Sequence, residues 1–192
     1  MIPIKDACDG VREKLREATV SLHAELDGIA EALLAVGKEG YARFLAGQGA
    51  VIIPLEKRLE ISGIGKVVPD WPLRARRYEL KADLREIAQP CDFLEVPTFR
   101  TPAELMGAAY VLEGSRLGAA LLLRTLELSA ATRFLRHGQG KGLWPSFLHE
   151  IETNIDVNEH LEKTKLAATL VLQLFIQAMG SAARVTALTA AE

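Results

Sequence analysis

The chain has 192 residues, 49% hydrophobic and 25% charged, with a formal net charge of −2 at pH 7. That length fits one domain, or at most two very small ones, with ample apolar material for a core. The near-balanced charge, with Lys and Arg dispersed along the chain, leaves no electrostatic footprint for nucleic acid. Cys8 and Cys91 are too few and too far apart for a metal knuckle or a disulfide framework, and they suit a reducing compartment.

In chain order, the start Met1-Ile2-Pro3-Ile4-Lys5-Asp6 carries no apolar signal region, so a cytoplasmic protein is expected. Residues 11–36 predict a first helix, with Leu15, Ala18, Leu22, Leu26, Ile29 and Leu33 recurring at threes and fours. Residues 41–59 predict a second, which Pro54 should kink or break. Ser62-Gly63-Ile64-Gly65 reads as a turn, and Pro69-Asp70-Trp71-Pro72 opens a new element. Residues 73–88 predict one charged helix, and 89–97 a loop. Thr101-Pro102-Ala103-Glu104 is a helix start with a Thr cap, Pro in the first turn and Glu at the third position. That helix should run to about residue 128. Residues 133–142 form a short basic connection, 144–153 a helix, and 157–183 a last long helix with Leu161, Leu166, Leu170, Leu174 and Met179 facing inward. The run 166–179, interrupted by Thr169, Gln173 and Gln177, is expected to be too short for a membrane span. With no β pattern and no repeat, the chain predicts an all-α, single-domain multi-helix bundle over 1–192, its core at about 11–183.

Three groups of residues invite chemistry. Gly114 and Gly118 stand four apart inside a helical pattern, at a cost of about 1 kcal/mol each relative to Ala. They strip one helix face of side chains, so either another helix or a flat ligand can approach. His23 lies one step off the apolar stripe of the first helix. Imidazole is a common haem-iron ligand, although a lone His is also commonly a partly buried one satisfied by a neighbour. Asp27, four residues on, shares its face and could accept its second ring N–H; Arg16, seven residues before, could meet an anionic group. His149, Glu152, Asp156 and His160 would share one face of an unbroken helix, either as metal ligands or as a solvated polar surface. Ser115, in Gly114-Ser115-Arg116, lacks the nucleophile-elbow pattern. Trp71, Trp144, Phe147 and Phe175 are most simply packing.

Leu15-Arg16-Glu17-Ala18-Thr19-Val20-Ser21-Leu22-His23 resembles the proximal helix of haem oxygenases. Leu112-Glu113-Gly114-Ser115-Arg116-Leu117-Gly118-Ala119-Ala120 resembles the distal helix of their bacterial branch, which includes the enzymes associated with bacteriophytochromes. Gln173-Leu174-Phe175 is similar to the family's last core helix, and Trp144-Pro145-Ser146-Phe147 to a segment between the two. The resemblance covers about 11–183.

It implies a haem-oxygenase-like bundle with haem b, both substrate and cofactor, held between a proximal and a glycine-bearing distal helix. Haem, O2 and electrons from an external donor would give biliverdin, CO and Fe(II). By the resemblance, His23 is the iron ligand and Asp27 orients it, shorter than the Glu of many relatives. Arg16 meets a propionate, and Tyr110 and Phe175 contact haem. Gly114 and Gly118 shape the distal side, where Ser115 stands in place of the mammalian branch's Asp. Glu113 is expected to point away; Arg116 and Arg124 are read as surface residues or as lining the propionate side. Implied partners are haem, a ferredoxin or flavoprotein reductase, and a bacteriophytochrome or other biliverdin acceptor; no nucleic acid or membrane is expected, and the chain is expected to be a monomer. A non-catalytic haem carrier on the same fold, and a di-iron protein using His149 to His160, are the alternatives.

Overall fold

The computed structural model describes residues 10–125 and 131–189. Its helices are α1 Gly10–Leu34, α2 Lys38–Ile61, α3 Trp71–Arg74, α4 Arg77–Glu86, α5 Pro102–Thr125, α6 Arg133–Arg136, α7 Leu143–Thr153, α8 Ile155–Glu159 and α9 Leu161–Thr189, with one 3-10 turn at Ile64–Lys66. No strand occurs among the described residues, so the fold is all-α. Cys8 and the predicted end of α5 near residue 128 lie outside them.

The organising element is α9. Helices α1, α5 and α2 all pack along it, while α1 and α5 scarcely touch each other. Its buried face carries Thr164, Ala167, Ala168, Val171, Leu172, Phe175, Ala178 and Met179. That face is rotated from the predicted one: Leu166 is 60% exposed and Leu170 37%. The apolar run is also longer than expected, because Leu161–Arg184 is long and apolar enough to cross a membrane by length and composition. About 39% of its most apolar window is buried, on the face that packs against α1, α5 and α2.

The start of α5 follows the sequence. Thr101 Oγ1 accepts the Glu104 N–H at 3.3 Å, and Glu104 Oε2 accepts the Arg100 and Thr101 N–H groups at 2.8 and 2.9 Å. This is a capping box, in which each residue satisfies donors the helix leaves open.

Elsewhere tertiary contacts override local expectation. Helix α2 runs unbroken through Pro54. The proline frees the Ala50 carbonyl of its helical donor, and the Leu94 N–H, from the extended stretch after α4, takes that place at 3.0 Å. The helix predicted over 73–88 is instead two. Ala75 is extended between α3 and α4, and the N–H groups of Arg76 and Arg77 turn to the buried Glu56 carboxylate at 2.9–3.0 Å. Glu56 thus caps α4 from another helix. The helix predicted over 157–183 begins at Leu161, after a break at His160, and α8 is capped by Asn154, whose side chain accepts the Val157 N–H at 3.1 Å.

Candidate functional site

Because α1 and α5 lean on α9 without closing on each other, a cavity of about 610 Å³ opens between them. That is within the range of small-molecule and cofactor sites. Arg16, His23, Asp27, Tyr110, Gly114, Ser115, Gly118 and Phe175 all line it. Phe44 and Gln48 of α2, Phe134 of α6 and Trp144 of α7 complete the walls.

On the α1 wall, His23 is half-buried. Burial lowers its pKa, and the Asp27 carboxylate offsets this only in part, so the imidazole is neutral at pH 7. No hydrogen bond joins Asp27 to His23; Asp27 is exposed and acts on the ring as a nearby charge. Arg16, 66% exposed in its side chain, pairs with Glu13 at 2.6 Å. Arg12, one turn earlier, also lines the cavity. Tyr110 is buried, its ring tilted against Trp144 with centroids 5.6 Å apart.

On the α5 wall, the two glycines do not serve helix packing. A Cβ added at Gly118 would meet nothing within 4 Å, and one at Gly114 would meet only the edge of the Trp144 ring at 3.7 Å. Close helix approach occurs at a glycine that spacing did not single out. Gly107 lies so close to α9 that a Cβ there would collide with the Thr164 carbonyl. At Gly114 and Gly118 the α5 face toward the cavity is therefore bare without being filled by protein.

The polar groups behind that face were largely hidden in the sequence. Ser115 donates to the Leu112 carbonyl at 2.7 Å and accepts from Arg76 Nη2 at 2.6 Å. Arg76 also donates to the Leu112 carbonyl at 2.9 Å and lies over the Phe134 ring, 4.6 Å from its centroid. It is fully buried; desolvation and the neighbouring Arg116 push its pKa down to about 10, which leaves it charged at pH 7. In the sequence it stands in Arg74-Ala75-Arg76-Arg77, which reads as a solvated charged helix. The paired turn of its N–H and that of Arg77 toward Glu56, far away in sequence, is what buries it.

Glu113 points away from the cavity, as the helical register requires. Its carboxylate accepts Arg74 Nη1 at 2.7 Å and Arg116 Nη2 at 2.8 Å. Arg116 is buried in this cluster, so it is neither a surface residue nor part of the cavity wall, whereas Arg124 is exposed. His149, Glu152, Asp156 and His160 do not share one helix face, because the chain breaks at Asn154 and at His160. Among the described residues no three His, Cys, Asp or Glu side chains come together as a metal site.

No family model matches the chain. It is 29% identical over 179 residues to the heme oxygenase PigA of Pseudomonas aeruginosa, covering 84% of this chain and 88% of that protein. Over most of its length the chain is similar in sequence to a haem oxygenase. A heme oxygenase of Xanthomonas campestris pv. campestris is 31% identical over 91 residues, 47% of this chain and 55% of that one. The heme oxygenase of Neisseria meningitidis, solved with NO and CO bound, superposes with a TM-score of 0.74 at 20% identity, covering 89% of this chain and 90% of that one. The last likeness establishes the haem oxygenase fold, and the expected all-α haem-oxygenase-like bundle is the fold observed.

Proposed function

We propose that this chain is a haem oxygenase that opens haem b at a meso carbon, with O2 and external electrons, to give biliverdin, CO and Fe(II). The observation that carries the reading is the cavity itself: a neutral imidazole on one wall and, facing it, a helix whose missing side chains leave the backbone open to a flat ligand.

The residues present fit an iron porphyrin. His23, neutral and half-buried, is the side chain suited to hold iron. Gly118 leaves open space on the cavity side, where an added Cβ would meet no protein atom within 4 Å. Arg12 and Arg16 stand together at one edge, where a ring's carboxylates would reach water and charge at once. Val20, Leu117 and Leu121, 56–60% exposed and all on the cavity wall, would be covered by the ring. Haem, as the substrate, supplies both the iron at which dioxygen is reduced and the ring that is opened. This chain's contribution is orientation: His23 fixes the ring from one side, Gly114 and Gly118 allow close backbone approach from the other, and Tyr110 and Phe175 pack against it. Ser115 offers a hydroxyl backed by the buried Arg76 cation, a polar anchor for water on the α5 side. Asp27 tunes His23 by charge.

Finer parts of the reading rest on the sequence alone: the bacteriophytochrome-associated branch, a ferredoxin or flavoprotein reductase as donor and a biliverdin acceptor on its resemblance, one domain spanning the chain on its length, a cytoplasmic location on its composition and N-terminal residues, and a monomer as the default.

The test is an optical titration with hemin, followed by reductant in air. A Soret band saturating at one equivalent, then decaying as biliverdin absorption grows, is expected. Haem that binds and survives reductant would assign the chain as a carrier; no saturable binding would remove the reading altogether.

A further inference from the structure

The glycine-bearing segment of α5 has two faces. Gly114, Ser115, Leu117 and Gly118 line the cavity, while Glu113 and Arg116, interleaved with them, are locked into the protein on the other side. The lock is a closed ring of ionic hydrogen bonds. Arg74 Nη1 donates to Glu113 Oε2 at 2.7 Å, Arg116 Nη2 donates to Glu113 Oε1 at 2.8 Å, and the same Nη2 donates to the backbone carbonyl of Arg74 at 2.5 Å. Both arginine corners bond further groups. Arg74 Nε donates to Asp70 at 2.6 Å and Nη1 also to the Leu143 carbonyl at 2.7 Å, next to Trp144 of the cavity wall. Arg116 Nη1 reaches the His137 carbonyl at 3.0 Å, beyond α6. The Arg74 and Glu113 side chains are at most 2% exposed and that of Arg116 is 6% exposed.

Apolar packing tolerates rotation and sliding of a helix by small amounts, whereas multidentate guanidinium–carboxylate bonds fix direction as well as distance. A buried ion cluster is a poor source of stability, because desolvation offsets its attraction, and specificity of arrangement is its better-attested use. At Gly114 and Gly118 the helix has no side chain of its own to set its height over a ligand, although Ser115 and Leu117 between them also face the cavity. Contacts on the opposite face can set that height.

We infer that the Arg74–Glu113–Arg116 triad is a positioning device that fixes the rotation and height of the Gly114–Gly118 segment, and thereby which edge of the substrate ring is oxidised. The regiochemical half rests on the haem oxygenase reading; the half concerning the helix does not.

The experiment compares wild type, Arg116→Met, Arg116→Lys and Leu80→Ala. Leu80 is a fully buried α4 residue outside the cavity, so its truncation serves as a control for lost stability. Hydrogen exchange is read on the ligand-free proteins. Arg116→Met should accelerate amide exchange over residues 109–120 at least tenfold beyond the acceleration in Leu80→Ala, with Arg116→Lys between. With hemin, reductant and air, wild type should yield one predominant biliverdin isomer, Arg116→Met a mixture, and Leu80→Ala, compared at equal distance below its melting temperature, the wild-type isomer. If Arg116→Met does not fold, the Arg116→Lys comparison decides by the same criteria. Unchanged exchange in the Arg116 variants, scattering by Leu80→Ala to the same degree, or an even mixture from wild type would overturn the inference. Absence of any bile pigment from wild type would instead strike the proposed activity, and the exchange result would still decide whether the triad holds the helix.

Discussion

Gly107 and Gly118 share helix α5 and differ in what surrounds them. A Cβ at Gly107 would collide with the Thr164 carbonyl of α9 and stand 3.0 Å from the Ala167 Cβ, whereas one at Gly118 would meet nothing within 4 Å. The first glycine lets two helices touch; the second leaves room that the protein does not use.

The two should therefore respond in opposite ways to the same substitution. Gly118→Ala removes a poor helix former from a site without crowding, so the ligand-free protein should gain up to about 1 kcal/mol. Hemin affinity should fall, by at least tenfold. Gly107→Ala should lose about 1–3 kcal/mol to overpacking against backbone that cannot rotate away, with hemin affinity of the folded fraction unchanged. Urea unfolding and hemin titration of both variants check this; a destabilised Gly118→Ala would show that the face is occupied by protein after all.

His23→Ala should fold, since the side chain is half-buried on a cavity wall and makes no hydrogen bond there. Its cost is expected to lie within about 1 kcal/mol, in the range of substitutions away from packed features. Hemin should still enter the apolar slot, with weaker affinity and a shifted Soret band, and biliverdin formation should stop. Added imidazole should restore the band toward its wild-type position. A Soret band identical to wild type would remove His23 as the iron ligand.

How much of this was legible in the sequence follows from how local each determinant is. The helices α1 and α5 were readable because their period, and for α5 the Thr101–Glu104 box, are written in adjacent residues, whereas α9 was readable as a helix but not in its start or its buried face. His23 and the Gly114, Gly118 pair were readable as candidates for the same reason, and the structure brings all of the named residues to one cavity. What was hidden depends on partners distant in sequence. Nothing near Pro54 announces that Leu94 will take the freed Ala50 carbonyl. Nothing in Arg74-Ala75-Arg76-Arg77 announces that Glu56 will split the helix there and draw Arg76 behind Ser115. Gly107 looked like any other glycine because its reason is a carbonyl on α9.

Arg76 lends itself to a separation of stability from activity. It is a buried cation whose strongest electrostatic neighbour is another cation, Arg116, ahead of the Glu56 carboxylate. Arg76→Met removes an expensive desolvated charge while keeping most of the packing on Phe134. Its stability change should therefore lie within about 2 kcal/mol, less than the 3–5 kcal/mol typical of breaking a compensated buried pair. Ser115 loses its 2.6 Å donor, so bile-pigment formation should slow by about tenfold or more, as for loss of one preorganised donor, with hemin affinity retained. Single-turnover kinetics beside a hemin titration separates the two effects. Equal loss of both would mean that Arg76 shapes the cavity rather than its polar side.

The start of α5 carries a pH-dependent contribution that one substitution isolates. Glu104 holds the Arg100 and Thr101 N–H groups, and those bonds lower its pKa below the ordinary carboxylate value. A depressed folded-state pKa means that the stabilisation is present above the unfolded carboxyl's pKa, about 4.3, and is lost as pH falls through the folded value. Glu104→Ala should thus cost about 1 kcal/mol at pH 7, the usual worth of a cap. The difference between wild type and variant should shrink below about pH 4, as the wild-type carboxyl takes up its proton. Glu13 and Glu86 are lowered as well, by Arg16 and Arg133 respectively, so the acid limb of wild type alone would mix all three. The difference between the two proteins does not, because both retain the other carboxylates. Urea unfolding of the pair at half-unit steps from pH 3 to 7 gives the curve, and a gap that stays constant across it would mean that the helix start is held by Thr101 and Pro102 without the Glu104 charge.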